Sequence, residues 1–457
     1  MKAYYPLKRA EPTDFVEPVV KYLEQVESQQ KAFAMREPIA KITQLRNKVT
    51  SLSHDGLSVE LCDKFIPAIE MYLRFALLMS KHLNWNREYG VVVDDVKIVW
   101  YDSFNNGVKF MKNDIHFDIF CCFYNLGILY SYKAIQLSFE ELNSTRKESM
   151  KAAKVAYYLF NRMRTYYYSG FVNTGFCDTD FSHLEVLESL VQGVYYKNVF
   201  NIFKEDEYKL GIDKIAAVAG LAQKQFFRAY EVGSAYFMKS SYISGVIKNE
   251  VMSLSYVEAL YHDLMFNSRL AKHFEEEMDN DKSNIIYLIA YQRKALRLLD
   301  LGLNNQAVAP LLNNRPEEKK ELLQIKPELE GKLKTNLARN KEIYKKEEIK
   351  EEHIPPPKEP PQGYLIKLEE PEKLQINYEG PMASPFADLV DNESKGFMND
   401  LKDFAKNRLA GLESAYSKLS KNVEVIYNDN FVNFYANLEN NSKQSKRGVT
   451  QKASPRR

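Results

Sequence analysis

The sequence predicts a mainly α-helical protein, an array of antiparallel helix pairs with a small β-sheet near its N-terminus. Apolar residues recur at helical spacing over most of residues 14–301, and most of the 30 Tyr and 26 Phe follow this spacing. Small residues among the apolar positions suit closely packed helix pairs. Residues 91–100 are rich in β-branched side chains and alternate near their end, which is typical of a strand.

Three segments show the helical pattern most clearly. Apolar residues follow the spacing i, i+3, i+4, i+7, i+8 and i+11 over residues 152–163, and similar stripes cover residues 184–195 and 215–226. Asp180 and Ser182 supply a start signal for the second of these helices. No repeat of fixed period is visible, so the array is not a regular tetratricopeptide repeat, although its pattern of apolar and small residues is similar.

The composition disfavours several classes of protein. Lys and Arg number 63 against 61 Asp and Glu, which leaves a formal charge of +2 and no long-range field for nucleic acid. Residues 1–9 lack the apolar core of a signal peptide, and no uncharged apolar stretch is long enough to span a membrane. The cysteines show no zinc-binding spacing, so we expect buried free thiols in a cytosolic protein. They are Cys62, Cys121, Cys122 and Cys177.

The character of the chain changes after Leu301. Residues 317–352 mix Glu and Lys densely, which predicts a long solvated helix or helix pair with Pro327 as a start or break. Residues 353–361 form a proline strap, which is either an SH3 or WW ligand or, as we favour, a rigid segment laid on the protein's own surface. Its prolines are Pro355, Pro356, Pro357, Pro360 and Pro361.

No pattern in the sequence supports catalysis, a cofactor or a metal. Glycine-rich phosphate loops and the common hydrolase and metalloprotease motifs are absent from the sequence. His262 with Asp263 comes nearest to a metal-binding cluster, but a solvated helix face explains this pair better. Cys177 and His183 resemble a nucleophile and base, but we interpret them as part of the loop that begins a helix. We therefore expect no enzyme.

Several motifs, taken in order, resemble the Bro-one (BRO1-type) domain family of endosomal sorting adaptors. The most specific is W-x-D-x-F at residues 100–104, which follows the strand. Residues 117–127 are similar to the family's F/Y-E-K helix, with Asp118 where Glu is usual. Weaker matches cover residues 7–24, 42–46, 178–196, 340–344 and 386–390. The ordered likeness spans residues 1–392; the long coiled arms and proline-rich tail of larger members are missing after it.

This resemblance implies a bent, boomerang-like helical array and a particular domain organisation. Residues 1–392 would form the Bro-one-like domain, which includes the proline strap. Residues 393–440 would be a C-terminal helical extension, and residues 441–457 a basic disordered tail.

The resemblance also implies a partner-binding site. Family members present an apolar patch that takes the amphipathic C-terminal helix of an ESCRT-III subunit, which is helix-in-groove recognition. Carried over to this sequence, the patch comprises Tyr195, Lys214 or its neighbour Ile215, and Val218. Lys214 departs from the apolar residue of the family. Without the resemblance, the apolar members of this set would be interpreted as core packing.

Two functional hypotheses follow. The leading one is a non-enzymatic, cytoplasmic ESCRT adaptor, recruited peripherally to endosomes in multivesicular-body and vacuolar sorting or membrane remodelling. The alternative is a scaffold or signalling protein that keeps the fold, has lost ESCRT-III binding, and acts through its proline strap or C-terminal helices. An open apolar face around residue 214 favours the first, and a charged, filled face favours the second. The sequence specifies neither the ESCRT-III subunit nor the oligomeric state.

Overall fold

The computed structural model describes residues 5–51, 57–86, 89–171, 174–205, 210–306, 309–313, 316–349, 353–354 and 365–374. The chain divides into two units, residues 1–385 and 386–457, and every described residue belongs to the first. The predicted C-terminal helical extension (residues 393–440), the basic tail and the prolines of the strap lie outside the described residues.

Helices dominate the described residues, as the apolar periodicity predicts. In chain order they are α1 (Val16–Val26), α2 (Gln29–Thr50), α3 (Val59–His82), α4 (Ile115–Leu137), α5 (Asn143–Arg162), α6 (Tyr168–Phe171), α7 (Phe181–Glu205), α8 (Ile212–Lys239), α9 (Gly245–Glu276), α10 (Ile285–Asn304), α11 (Ala309–Asn313) and α12 (Pro316–Arg339). The start signal before α7 is confirmed, since the Asp180 carboxylate accepts the Ser182 N–H at 2.8 Å.

Consecutive long helices pack against each other as antiparallel pairs from α4 to α10, which confirms the predicted array. Small residues allow the close approach. A Cβ atom at Gly193 of α7 would lie 2.8 Å from the Phe226 ring of α8, and one at Gly302 of α10 would lie 2.5 Å from Leu260 of α9. Any larger side chain at these two glycines would therefore push the helices apart.

A small antiparallel sheet near the N-terminus joins β1 (Ile98–Tyr101) to β2 (Lys109–Lys112). The predicted strand over residues 91–100 is wrong for its first seven residues, which form a loop. Asp95 has a φ of 63°, a left-handed conformation that interrupts an extended chain. Val93 and Val96 are buried all the same, so the apolar character of this stretch reflects burial in a loop.

The helix predicted over residues 317–352 differs from the expectation in two respects. Pro327 neither starts nor breaks it, because α12 runs through this proline without interruption. One face is also buried rather than solvated, since Leu322 and Leu329 pack inward. This packing offsets the backbone hydrogen bond that the proline removes.

A buried carboxylate, Asp118 of α4, connects four elements. Arg46 of α2 donates from Nη2 to Asp118 Oδ1 at 3.0 Å, and both side chains are fully buried. Trp100 of β1 donates from its indole nitrogen to the same oxygen at 2.6 Å. The Tyr72 hydroxyl of α3 donates to the other oxygen. Each donor satisfies a charge that would otherwise be costly to bury.

A second buried ion pair holds the N-terminal segment. Lys8 Nζ lies 2.7 Å from both oxygens of Asp178, in the loop before α7. The main chain of Lys8 exchanges two hydrogen bonds with the Asn125 side chain of α4, at 2.6 and 2.9 Å. The N–H of Ser103 completes the site by donating to Asp178 at 2.6 Å.

Helix α9 carries polar side chains into the core. The interpretation of His262 and Asp263 as a solvated helix face is wrong, because these residues are 0% and 6% exposed. The His262 ring lies among Phe200, Phe226 and Tyr261, so burial lowers its pKa to about 4. The two residues are therefore structural parts of the helix array.

We expect Asp118→Ala to lower the free energy of unfolding by about 3–5 kcal/mol, because it leaves the buried Arg46 guanidinium without its counter-charge. Urea unfolding followed by circular dichroism measures this change. Glu37→Ala, which removes an exposed helical ion pair with Lys41, is the control and should leave the midpoint unchanged. An equally small effect of Asp118→Ala would contradict the structural role of this carboxylate.

A pH dependence follows from Asp263, whose pKa is raised by burial to about 6. Between about pH 4 and 6 the Asp263 carboxyl is protonated in the native state but ionised in the unfolded chain. The free energy of unfolding therefore falls as the pH rises through this window. Asp263→Asn, which keeps the shape without the charge, should equal the parent near pH 4 and exceed it by about 3 kcal/mol at pH 7.

Urea unfolding of both proteins across this pH range tests the Asp263 prediction. Asp279→Asn, which changes a carboxylate that is 98% exposed, serves as the control. A stability difference between Asp263→Asn and the parent that stays constant with pH would contradict it.

Candidate partner-binding surface

The structure places the four predicted site residues on two neighbouring helices. Tyr195 lies on α7 and is 6% exposed. Lys214, Ile215 and Val218 lie in the first two turns of α8, where Lys214 is exposed and the other two have no exposed surface. The apolar members of the set therefore do not form an open patch together.

The burial of Ile215 and Val218 follows from the position of α8. This helix packs against α7 on one side and α9 on the other, and its apolar stripe faces these neighbours. Val218→Asp would therefore place a charge in the core instead of on a binding surface. A contribution of these side chains to partner binding stays a prediction, and any contact from this part of α8 would begin at Lys214.

Tyr195 faces a different neighbour, helix α5. Lys154 of α5 holds its Nζ 5.7 Å from the centre of the Tyr195 ring, a cation–π contact. The ring also packs edge-to-face on Tyr196, with centroids 5.4 Å apart. Burial raises the pKa of Tyr195, so its hydroxyl stays neutral at physiological pH.

Residues 365–374 cross the same side of the helix array, and we call them the 365–374 segment. The Ile366 N–H donates to the Tyr196 hydroxyl of α7 at 3.3 Å. Lys373 Nζ lies 3.5 Å from the Glu70 carboxylate of α3, and Leu374 is 1% exposed. The segment is thus attached to α7 and α3, close to Tyr195.

A contact with α5 completes the attachment of the segment. Burial raises the pKa of the Tyr158 hydroxyl to about 12, and the Glu370 carboxylate, which accepts a hydrogen bond from it, adds to the rise. Glu369 lies near Tyr195 and further raises that residue's pKa. One edge of this surface is therefore acidic, whereas Lys154 places a positive charge over the ring.

Two leucines of the 365–374 segment are exposed beside this contact. Leu365 is 37% and Leu368 is 50% exposed. We call these two exposed leucines of the segment the strap face. The sequence patterns did not identify these leucines as site residues. The sequence feature that could have identified them is their apolar character within a charged stretch that follows the prolines.

The predicted proline ligand is not tested by the structure. Pro355, Pro356, Pro357, Pro360 and Pro361 lie outside the described residues. Their role as a ligand for another protein stays a prediction.

The residues considered as a nucleophile and base do not have the electrostatics of such a pair. Burial raises the pKa of the half-buried Cys177 thiol to about 11, and burial lowers the pKa of His183 to about 3. Both groups are therefore neutral at pH 7, so a thiolate–imidazolium pair is disfavoured. His183 packs instead against Tyr5, Phe104 and Tyr236.

In the described part of the chain, no three or more His, Cys, Asp or Glu side chains come together in a group that could hold a metal ion. None of the described helices combines the length and the apolar character needed to cross a bilayer.

Comparison with known proteins gives one family match. The model of the BRO1-like domain family matches residues 3–395, which is most of the chain. A search of curated protein sequences returned no match.

Solved structures with a similar fold include the following three. The ALIX BRO1–CHMP4C complex has a TM-score of 0.58 at 15% identity, covering 79% of this chain and 94% of that chain. A structure described as the basis for endosomal targeting by the Bro1 domain has a TM-score of 0.60 at 15% identity, covering 85% and 97%. ALIX bound to the SIVmac239 PYKEVTEDL late domain has a TM-score of 0.63 at 16% identity, covering 92% of this chain and 56% of that one.

Proposed function

The chain belongs to the BRO1-like domain family, and from this premise we propose that it is an ESCRT-associated adaptor. Its partner is the amphipathic C-terminal helix of an ESCRT-III subunit. The BRO1 domain is a protein-interaction domain, and it is not a known enzyme family. The similar fold of an ALIX BRO1 domain in complex with CHMP4C, an ESCRT-III subunit, supports this class of partner.

The strap face is the surface that carries this proposal. An amphipathic helix needs exposed apolar side chains that are held rigidly, because an ordered surface loses less entropy on binding. Leu365 and Leu368 are exposed, and the Tyr196 and Glu70 contacts hold their segment on α7 and α3. Tyr195 is buried nearby under Lys154 of α5.

The adaptor acts at the cytoplasmic side of endosomes, in multivesicular-body sorting. The fold shared with a Bro1 domain structure concerned with endosomal targeting supports this location. Recruitment occurs through the ESCRT-III partner, with the predicted basic tail as an additional electrostatic contact to acidic lipid.

One observation favours the alternative hypothesis, a scaffold of this fold that does not bind ESCRT-III. The start of α8 presents Lys214 to solvent and keeps Ile215 and Val218 inside, so this face is charged and filled. Such a protein would act through the proline strap or the C-terminal helices. The strap face distinguishes the two hypotheses, because only the adaptor needs apolar, uncharged side chains at residues 365 and 368.

We expect the full chain to bind the C-terminal helix of at least one ESCRT-III subunit of the same organism, and Leu368→Asp to weaken this binding at least about tenfold. A tenfold change corresponds to about 1.4 kcal/mol, which an apolar anchor contributes when it is buried in an interface. Isothermal titration calorimetry measures the dissociation constant. Leu368 is half exposed, so the substitution leaves the core intact.

Leu323→Asp is the matched control, because it changes another leucine, 48% exposed, on α12. It should bind as the parent does. Lys214→Glu tests the α8 face separately: weakened binding would extend the site to that helix. Saturable binding that Leu368→Asp leaves unchanged would exclude the strap face. No binding to any ESCRT-III helix would contradict the adaptor and favour the scaffold.

A further inference from the structure

The connection between α8 and α9 exposes two apolar side chains within a few residues of each other. Tyr242, in the loop, is 58% exposed. Val246, in the first turn of α9, is 68% exposed. We call residues 239–248, which include both, the α8–α9 tip.

The backbone of the α8–α9 tip is held in place by contacts on both sides of the exposed residues. Ile243 is 3% exposed, so it anchors the loop in the core. The Ser244 hydroxyl accepts the Ile247 N–H at 3.3 Å and so caps α9. Lys248 Nζ donates to the Ser240 carbonyl at 2.5 Å, which closes the loop onto the helix. The two apolar side chains therefore project from an ordered backbone.

The charge of the tip is positive. It carries Lys239 and Lys248, and residues 232–249 contain no Asp or Glu. The first acids on either side are Glu231, which is engaged in an ion pair, and Glu250, one oxygen of which is buried. The N-terminus of α9, a helix of 32 residues, adds the positive end of its dipole. The tip is thus suited to an anionic surface.

The tip lies at the end of the helix array where α7 begins. Tyr236 of α8 packs on His183 of α7, with ring centroids 5.6 Å apart. Phe181, the first residue of α7, is 40% exposed at this end, and Asp180 caps the helix there. From His183 to Tyr196, α7 rises about 20 Å at 1.5 Å per residue. A partner at the tip therefore leaves the segment that contacts Tyr196 accessible.

A membrane fits these features better than another protein does. Specific protein interfaces bury about 1,200–2,000 Å² in total, which is far more than two side chains and a short loop offer. A bilayer needs no shaped pocket, and tyrosine favours the region between its headgroups and acyl chains. Lysines near the bilayer are attracted to acidic lipids. Such a contact is weak by itself, so it would support recruitment by a protein partner.

We infer that the α8–α9 tip binds the surface of a membrane that contains acidic lipids. Tyr242 and Val246 enter the boundary between headgroups and acyl chains, and Lys239 and Lys248 face the lipid headgroups. This contact is separate from the strap face and from the predicted basic tail, so it does not depend on the proposed ESCRT-III partner.

The first test uses the full chain and vesicles of equimolar phosphatidylserine and phosphatidylcholine. Tyr242→Trp places an exposed indole at the tip, whereas the two native tryptophans, Trp85 and Trp100, are buried. Its fluorescence should shift to shorter wavelength when vesicles are added, and lipids brominated on their acyl chains should quench it. Tyr89→Trp, at a tyrosine that is 62% exposed on another loop, is the control and should show neither change.

Vesicle co-sedimentation measures the affinity. Tyr242→Ser combined with Val246→Ser should weaken binding at least about fivefold, because less apolar area then leaves water. Lys239→Glu should weaken binding to the anionic vesicles by a similar factor, about fivefold. Tyr89→Ser combined with Val91→Ser changes another exposed Tyr and Val, at 62% and 46%, and should bind as the parent does.

Three results would each overturn the inference. The first is a Tyr242→Trp emission that does not respond to the vesicles, which would leave the tip as a contact for a protein. The second is unchanged affinity of the double variant at the tip. The third is equal binding of the parent to vesicles of phosphatidylcholine alone.

Discussion

The N-terminal half of the structure depends on the carboxylate of Asp118, which is fully buried in α4. It receives hydrogen bonds from Arg46, Tyr72 and Trp100, so that α2, α3, α4 and β1 meet at one charge. Such a group tolerates few other arrangements, because a lost donor leaves a polar atom unsatisfied in the core. The Lys8–Asp178 pair extends this constraint to the N-terminal segment and to the loop before α7.

This constraint also positions the proposed binding surface. The sheet is held against α4 by Trp100, which fixes β1 and β2 relative to the helices. Helices α4, α5 and α7 pack in succession, and the 365–374 segment is attached across α3, α5 and α7. The strap face therefore consists of exposed side chains on a rigid frame, which lowers the entropy lost on binding.

The strap face offers side chains alone, so its partner must bring its own backbone hydrogen bonds, as a helix does. Its surroundings carry both signs of charge. Glu369 and Glu370 make one side acidic, whereas Lys154 places a positive charge over the Tyr195 ring.

The sequence by itself determined the helical class, the presence of α5, α7 and α8 but not their full lengths, and the family, because apolar periodicity and ordered motifs are local properties of the chain. It did not determine which side of each apolar stripe meets a neighbour. Ile215 and Val218 lie in the core because α8 packs between two other helices. The left-handed φ angle of Asp95 interrupts the extended chain before β1 and so makes the strand shorter than predicted. Leu365 and Leu368 become a surface only because a distant segment returns to α7. Exposure depends on contacts between residues far apart in the chain, so the tertiary structure alone decided it.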